Sequence, residues 1–140
     1  IKEDLEETGM MKVTLRSAEW ATYAGEYIAA GTMPIFLLGW YPDYIDPDNY
    51  LTCFLHSEYS PDLGVFYNNS QMDEWLEAAQ TELDVETRTE LYINVQRLMA
   101  EEAPVIPLFQ GKLTIVTSPD VKGVVLDPVM LLRYYLIYKE

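Results

Sequence analysis

With 140 residues, 49% of them hydrophobic and 23% charged, the chain has the composition of an ordered globular domain and the length for one core. Its 23 acidic residues against 9 basic ones leave a net charge of -14, which repels nucleic acid and anionic membrane surfaces and argues against both as partners. Cys53 is the single cysteine, so an internal disulfide and a multi-cysteine metal site are ruled out.

"IKEDLEETG" sets Ile1 and Leu5 four apart amid acids and ends on Gly9, which predicts a short helix with a left-handed cap. "MMKVTLRS" alternates, with Met11, Val13 and Leu15 on one face and Lys12, Thr14 and Arg16 on the other; this predicts a half-buried strand. Ser17 is the expected N-cap of the next helix, in which Trp20, Ala24, Tyr27 and Ile28 share a face before Gly31 ends it. "PIFLLGW" then runs almost wholly apolar, as a strand covered on both faces does. This order of helix, strand, helix, strand predicts an α/β layer with right-handed crossovers.

Asp46 and Pro47 read as the N-cap and first residue of a further helix, with Asp48 and Asn49 in its first turn, where acid suits the dipole. Ser70 is the expected cap of "QMDEWLEAAQTEL", with Met72, Trp75, Leu76, Ala79 and Leu83 as one stripe. Asp84 is that of "VETRTELYINVQRLMAEEA", with Leu91, Val95, Leu98 and Met99 inward and Pro104 closing it. From Val105 the texture becomes β-rich, punctuated by Gly-Lys and Ser-Pro-Asp turns. No apolar stretch approaches the roughly 20 residues of a membrane helix. The chain starts at Ile1 inside a helical pattern, from which we expect a piece of a longer protein.

Catalytic and metal chemistry find little support. There is no Gly-rich phosphate loop and no nucleophile elbow. Asp46 and Asp48 hint at a calcium loop, but Tyr50 and Leu51 occupy positions that need a ligand and a glycine. Cys53 and His56 stand three apart on a predicted helix, yet an apolar face of Tyr50, Leu51, Phe54 and Leu55 makes Cys53 a structural cysteine. Asp43 and Asp46 as a hydrolytic carboxylate pair lack any sign of the raised pKa one would need. No metal, no cofactor and no enzyme is the expectation; a binding module fits better.

The stretch "GWYPDYIDPDNYL" carries the binding surface. In open α/β sheets ligands collect beyond the carboxyl ends of strands, and Gly39 to Asp43 follows such an end. Gly39 admits another backbone, Trp40, Tyr41 and Tyr44 offer rigid aromatic area with polar tips, and Asp43 can hold a cation.

"GWYPDYIDPDNYL" also closely resembles a segment of the solute-binding proteins of peptide ABC importers, the dipeptide- and oligopeptide-binding family (extracellular solute-binding protein family 5). "IKEDLEETGMMKVTLRSAEWATYAGEYIAAG" resembles that family's upstream helix, strand and helix. The run from Tyr67 to Leu108, with "RTELY" at Arg88 to Tyr92, is similar to its downstream helices. The resemblance implies one α/β lobe of a bilobed periplasmic-binding-protein-like fold, residues 1–108, with a β-rich tail, 109–140, crossing back to an absent N-terminal lobe or pairing with a second copy as a homodimer. It implies a peptide ligand held by Asp43 at its α-amino group, main-chain bonds from Gly39 and Tyr41, and a pocket lined by Trp40. The implied partners are the permease subunits of an importer. The implied location is the periplasm or the extracellular face of the membrane, with an anchor in the full-length protein. Family members that bind oligosaccharides or metal complexes give an alternative ligand class. The sequon at Asn68 is compatible with an extracellular home.

Overall fold

In the computed structural model, which describes residues 1–140, the acid-rich start forms α1 (Lys2–Glu7), and Gly9 follows at φ +68°. The predicted strand over Met11 to Arg16 does not form. Val13 alone is half-buried, its N–H donating to Glu6 Oε1 at 2.9 Å, while Leu15 is 75% exposed. The next helix starts later than expected: Glu19, not Ser17, caps α2 (Trp20–Thr22), its carboxylate accepting from the Ala21 N–H. α2 winds directly into a π-helical turn over Tyr23–Ile28, and Gly31 at φ +63° ends it as expected. Ile28 is buried on this element, whereas Trp20 is exposed.

The apolar run 34–40 forms no strand either. An extended apolar segment becomes a strand only where a neighbour takes its N–H and C=O groups. Here a single side chain does so: the Tyr23 hydroxyl donates to Leu37 O at 2.7 Å and accepts from Leu37 N at 3.1 Å.

Regular structure is concentrated in the middle of the chain. α3 (Pro47–Leu55) begins as its sequence predicts, with Asp46 accepting from the Asp48 N–H and proline in the first turn. A 3-10 turn (Ser60–Leu63) leads to Gly64 at φ +74°, where a Cβ would sit 2.6 Å from Ile28 O. Only glycine fits, so this contact ties the N-terminal elements to the helical block.

α4 (Ser70–Thr81) is capped by Asn69, one residue before the expected Ser70; its side chain accepts from the N–H groups of Gln71 and Met72. α5 (Val85–Glu102) is capped by Asp84 and ends at Ala103, in the left-handed region at φ 50° just before Pro104. Leu55, Met72, Leu76, Ala79, Tyr92 and Val95 form the core, with Leu51, Trp75, Leu91, Leu98 and Met99 packed against it. Leu83, expected on the α4 stripe, is 94% exposed, because α4 ends before it. Tyr92 was not in the predicted stripe and is buried.

Beyond Val95 no residue is buried. The tail carries one short antiparallel ladder, β1 (Val121–Lys122) with β2 (Tyr138–Lys139), in the register Val121 with Lys139. This is far less β-structure than its residue types predict, and Phe109 and Val116 stand 88% and 90% exposed. β-branched and aromatic residues supply strand preference, but a ladder still needs a partner edge.

Candidate functional site

The segment Gly39 to Tyr44 is shaped by α3. Because Asp46 caps that helix, Asn49 falls in its first turn and faces back over the loop. Two grips follow. The Asn49 main-chain carbonyl accepts from Trp40 Nε1 at 2.9 Å, with Asn49 Oδ1 a second acceptor at 3.3 Å. The same Oδ1 accepts the Asp43 main-chain N–H at 3.0 Å. Trp40 also stands edge-on to Phe54, with centroids 5.2 Å apart.

α3 is itself fastened to α5. Arg88 pairs with Asp46 through both nitrogens of its fork, Nη1 to Oδ2 at 3.0 Å and Nη2 to Oδ1 at 2.7 Å. Its Nε donates to Ala79 O at 2.8 Å and Nη2 to the Tyr92 hydroxyl at 3.1 Å, and its guanidinium carbon lies 5.0 Å from the Tyr92 ring centre. The Arg88 hydrogen bond holds the Asp46 carboxyl below the usual carboxylate range against the opposing effect of burial. Burial pushes the Asp48 carboxyl upward, but hydrogen bonds from Thr52, Tyr44 and Gln80 together outweigh it and lower its pKa.

The five expected ligand-contacting residues divide accordingly. Trp40 is half-buried and Tyr44 spends its hydroxyl on Asp48, so both present ring surface to a shallow depression of about 330 Å³ bounded also by Cys53, Tyr59 and Leu63. Gly39, Tyr41 and Asp43 lie outside that depression and face solvent. Nothing in the chain comes within 4 Å of where a Gly39 Cβ would stand, and the Asp43 carboxylate has no hydrogen-bond or ion-pair partner. Asn49 and Arg88 are the two positioning residues that reading by residue type missed. "RTELY" did draw attention to Arg88, but its partner lies 42 residues away.

Cys53 and His56 do not form a dyad. Cys53 Sγ donates to Asn49 O at 3.1 Å, and burial pushes its thiol up to about 11. His56 Nδ1 accepts from the Glu58 N–H, and its Nε2 lies 3.3 Å from Glu77 Oε1. A thiol with so little thiolate at neutral pH is a poor nucleophile. We expect iodoacetamide at pH 8 to label Cys53 in the folded chain at least about tenfold more slowly than free cysteine. Labelling at the free-thiol rate would contradict the burial.

No family model matches the chain. Among curated proteins, it is 32% identical to the periplasmic murein peptide-binding protein MppA of Escherichia coli (strain K12) over 111 residues, 79% of this chain and 20% of MppA. It is also 32% identical to di/tripeptide-binding protein 4 of Pseudomonas aeruginosa (strain UCBPP-PA14), over 91% of this chain and 24% of that protein. Among solved structures, a dipeptide binding protein from Pseudoalteromonas sp. SM9913, in complex with Met-Leu, superposes with a TM-score of 0.84 at 26% identity, covering 99% of this chain and 27% of that one. The chain thus spans between a fifth and a quarter of the length of these curated relatives. The superposition gives it the periplasmic-binding-protein-like fold class expected from its sequence, as a piece of a lobe.

Proposed function

The chain belongs to the peptide-binding solute-binding proteins, extracellular solute-binding protein family 5, and from that premise we propose that it supplies the anchor for the amino terminus of a peptide ligand. The longer polypeptide would capture peptides outside the cytoplasmic membrane and deliver them to an ABC permease. No helix here is long and apolar enough to cross a membrane.

The observation that carries this reading is Asp43: an unpartnered carboxylate at the end of a main-chain segment fixed by Asn49. A carboxylate whose main chain is fixed before the ligand arrives has only its side-chain rotation to give up on binding an ammonium group. Enclosure between two lobes then desolvates the pair, and a charge-assisted hydrogen bond strengthens as water is excluded. Open Gly39 admits a ligand main chain beside it, and the Trp40, Tyr41 and Tyr44 rings offer apolar area to the first side chain. In the same reading residues 1–108 belong to one lobe, and 109–140, with the unpaired strand-like runs, find their neighbours in the remainder of the polypeptide. Selectivity comes from differential stabilisation of a closed state, with no chemical step.

The test uses the full-length polypeptide, with Met-Leu as probe and calorimetry as readout. Asp43→Asn is expected to raise the Kd about 30-fold, the loss of one charged hydrogen-bond partner. N-acetyl Met-Leu should bind weakly to the wild type and no more weakly to the variant, because the ammonium is already gone. Unchanged Met-Leu affinity in Asp43→Asn would sink the assignment.

A further inference from the structure

We infer that Asn49 is the positioning residue that sets where the Asp43 anchor stands relative to the Trp40 ring, and through this sets peptide affinity; the inference rests on the ligand reading above. One residue grips both ends of a four-residue span, but with different groups. Trp40 is held chiefly by the Asn49 main-chain carbonyl, at 2.9 Å, which no substitution removes. Asp43 is held solely by the Asn49 side chain, at 3.0 Å to its main-chain N–H. The span between them includes Pro42, which is buried and fixed in φ, so little else in it can yield. Losing the Oδ1 acceptor therefore frees the Asp43 end, while Trp40 gives up only its longer second acceptor at 3.3 Å and keeps the main-chain one.

The consequence is a separable defect. Asn49 sits in the first turn of α3, where leucine has a better helix preference than asparagine, so Asn49→Leu leaves the helix intact. The Asp43 N–H is exposed and turns to water, so the fold loses little. Asp43 itself gains freedom that must be given up again on binding. An acceptor alone suffices to restore the grip, so Asn49→Asp, which keeps an oxygen at that place, retains the geometry.

In the full-length polypeptide, Asn49→Leu is expected to raise the Met-Leu Kd about tenfold. Its melting midpoint and its Trp40 emission, read as the difference from a Trp40→Phe partner, should match the wild type. Asn49→Asp should return the Kd to within about threefold. Should Asn49→Leu fail to fold, Asn49→Ala serves the same comparison. Three results overturn the inference: wild-type affinity in Asn49→Leu while Asp43→Asn is impaired, equal impairment in Asn49→Leu and Asn49→Asp, or a loss of affinity that tracks a lowered melting midpoint. Wild-type affinity in both Asp43→Asn and Asn49→Leu would instead strike the ligand reading itself.

Discussion

Leu76→Ala is expected to destabilise the chain by about 3 kcal/mol, read as a fall of about 10 °C in the melting midpoint. Leu76 is fully buried at the centre of the cluster where α4 meets Leu55 of α3 and Tyr92 and Val95 of α5. Removing its branched end costs the transfer free energy of three carbons and leaves a cavity that three helices line. Few fully buried residues share the load, so the neighbours cannot close the gap by sliding without uncovering one another. Leu83 is the control. It is the same residue type, seven positions later and 94% exposed, and Leu83→Ala should change stability by less than about 0.5 kcal/mol. Equal effects at the two positions would contradict the core described here.

Arg88→Met is expected to cost about 2 kcal/mol at neutral pH. An exposed ion pair would be worth well under half of that, since water competes for both partners. This pair differs in three ways: both side chains are more than two-thirds covered, the contact is bidentate, and the guanidinium also serves Ala79 O and the Tyr92 hydroxyl. Methionine keeps the stem's packing and leaves four acceptor atoms on three residues without this donor. The pH dependence gives a second readout. A carboxyl whose pKa is depressed by folding stabilises the fold above its unfolded value and loses that contribution as pH falls through its folded one. Asp46 is such a group, with Arg88 as the leading cause. Urea titrations should therefore show the gap between wild type and variant constant from neutrality to about pH 4 and closing below that. A gap that persists undiminished at about pH 2 would show that charge pairing is not its source.

Much of the helical block was legible because its signals are local. An Asp-Pro pair, an Asp84 cap and an apolar stripe each lie within a few residues, and α3, α4 and α5 appear where these predict. Small errors came from competition between near-equivalent caps: Asn69 and Ser70 both suit the role, and Asn69 takes it, its amide nitrogen also donating to Glu102 at the far end of α5. The strands over 11–16 and 34–40 failed for a different reason. Residue pattern reports a preference for extended backbone, while a strand exists only when another segment accepts its hydrogen bonds, and this chain offers none. At the loop, residue type alone marks Gly39 to Tyr44 as a candidate surface, and of these the structure brings only Trp40 and Tyr44 to the depression. Asn49 could not be marked in this way, because its importance lies in the direction its side chain takes from a helix that Asp46 and Arg88 together fasten.

That fastening also bears on time. Of the side-chain hydrogen bonds, those between Arg88 and Asp46 join the residues farthest apart in the sequence, 42 positions, ahead of the 35 that separate Tyr67 from Glu102. α4 and α5, by contrast, follow one another across Glu82 to Asp84 and meet through neighbours in the sequence. Contacts between near neighbours close small loops and form early, whereas a wide closure is rewarded only once its platform exists. A late-forming contact acts on the rate of escape from the folded state more than on the rate of arrival. Arg88→Met is therefore expected to speed the parting of α3 from α5 while leaving the rate at which they first meet nearly unchanged, as stopped-flow unfolding and refolding would show.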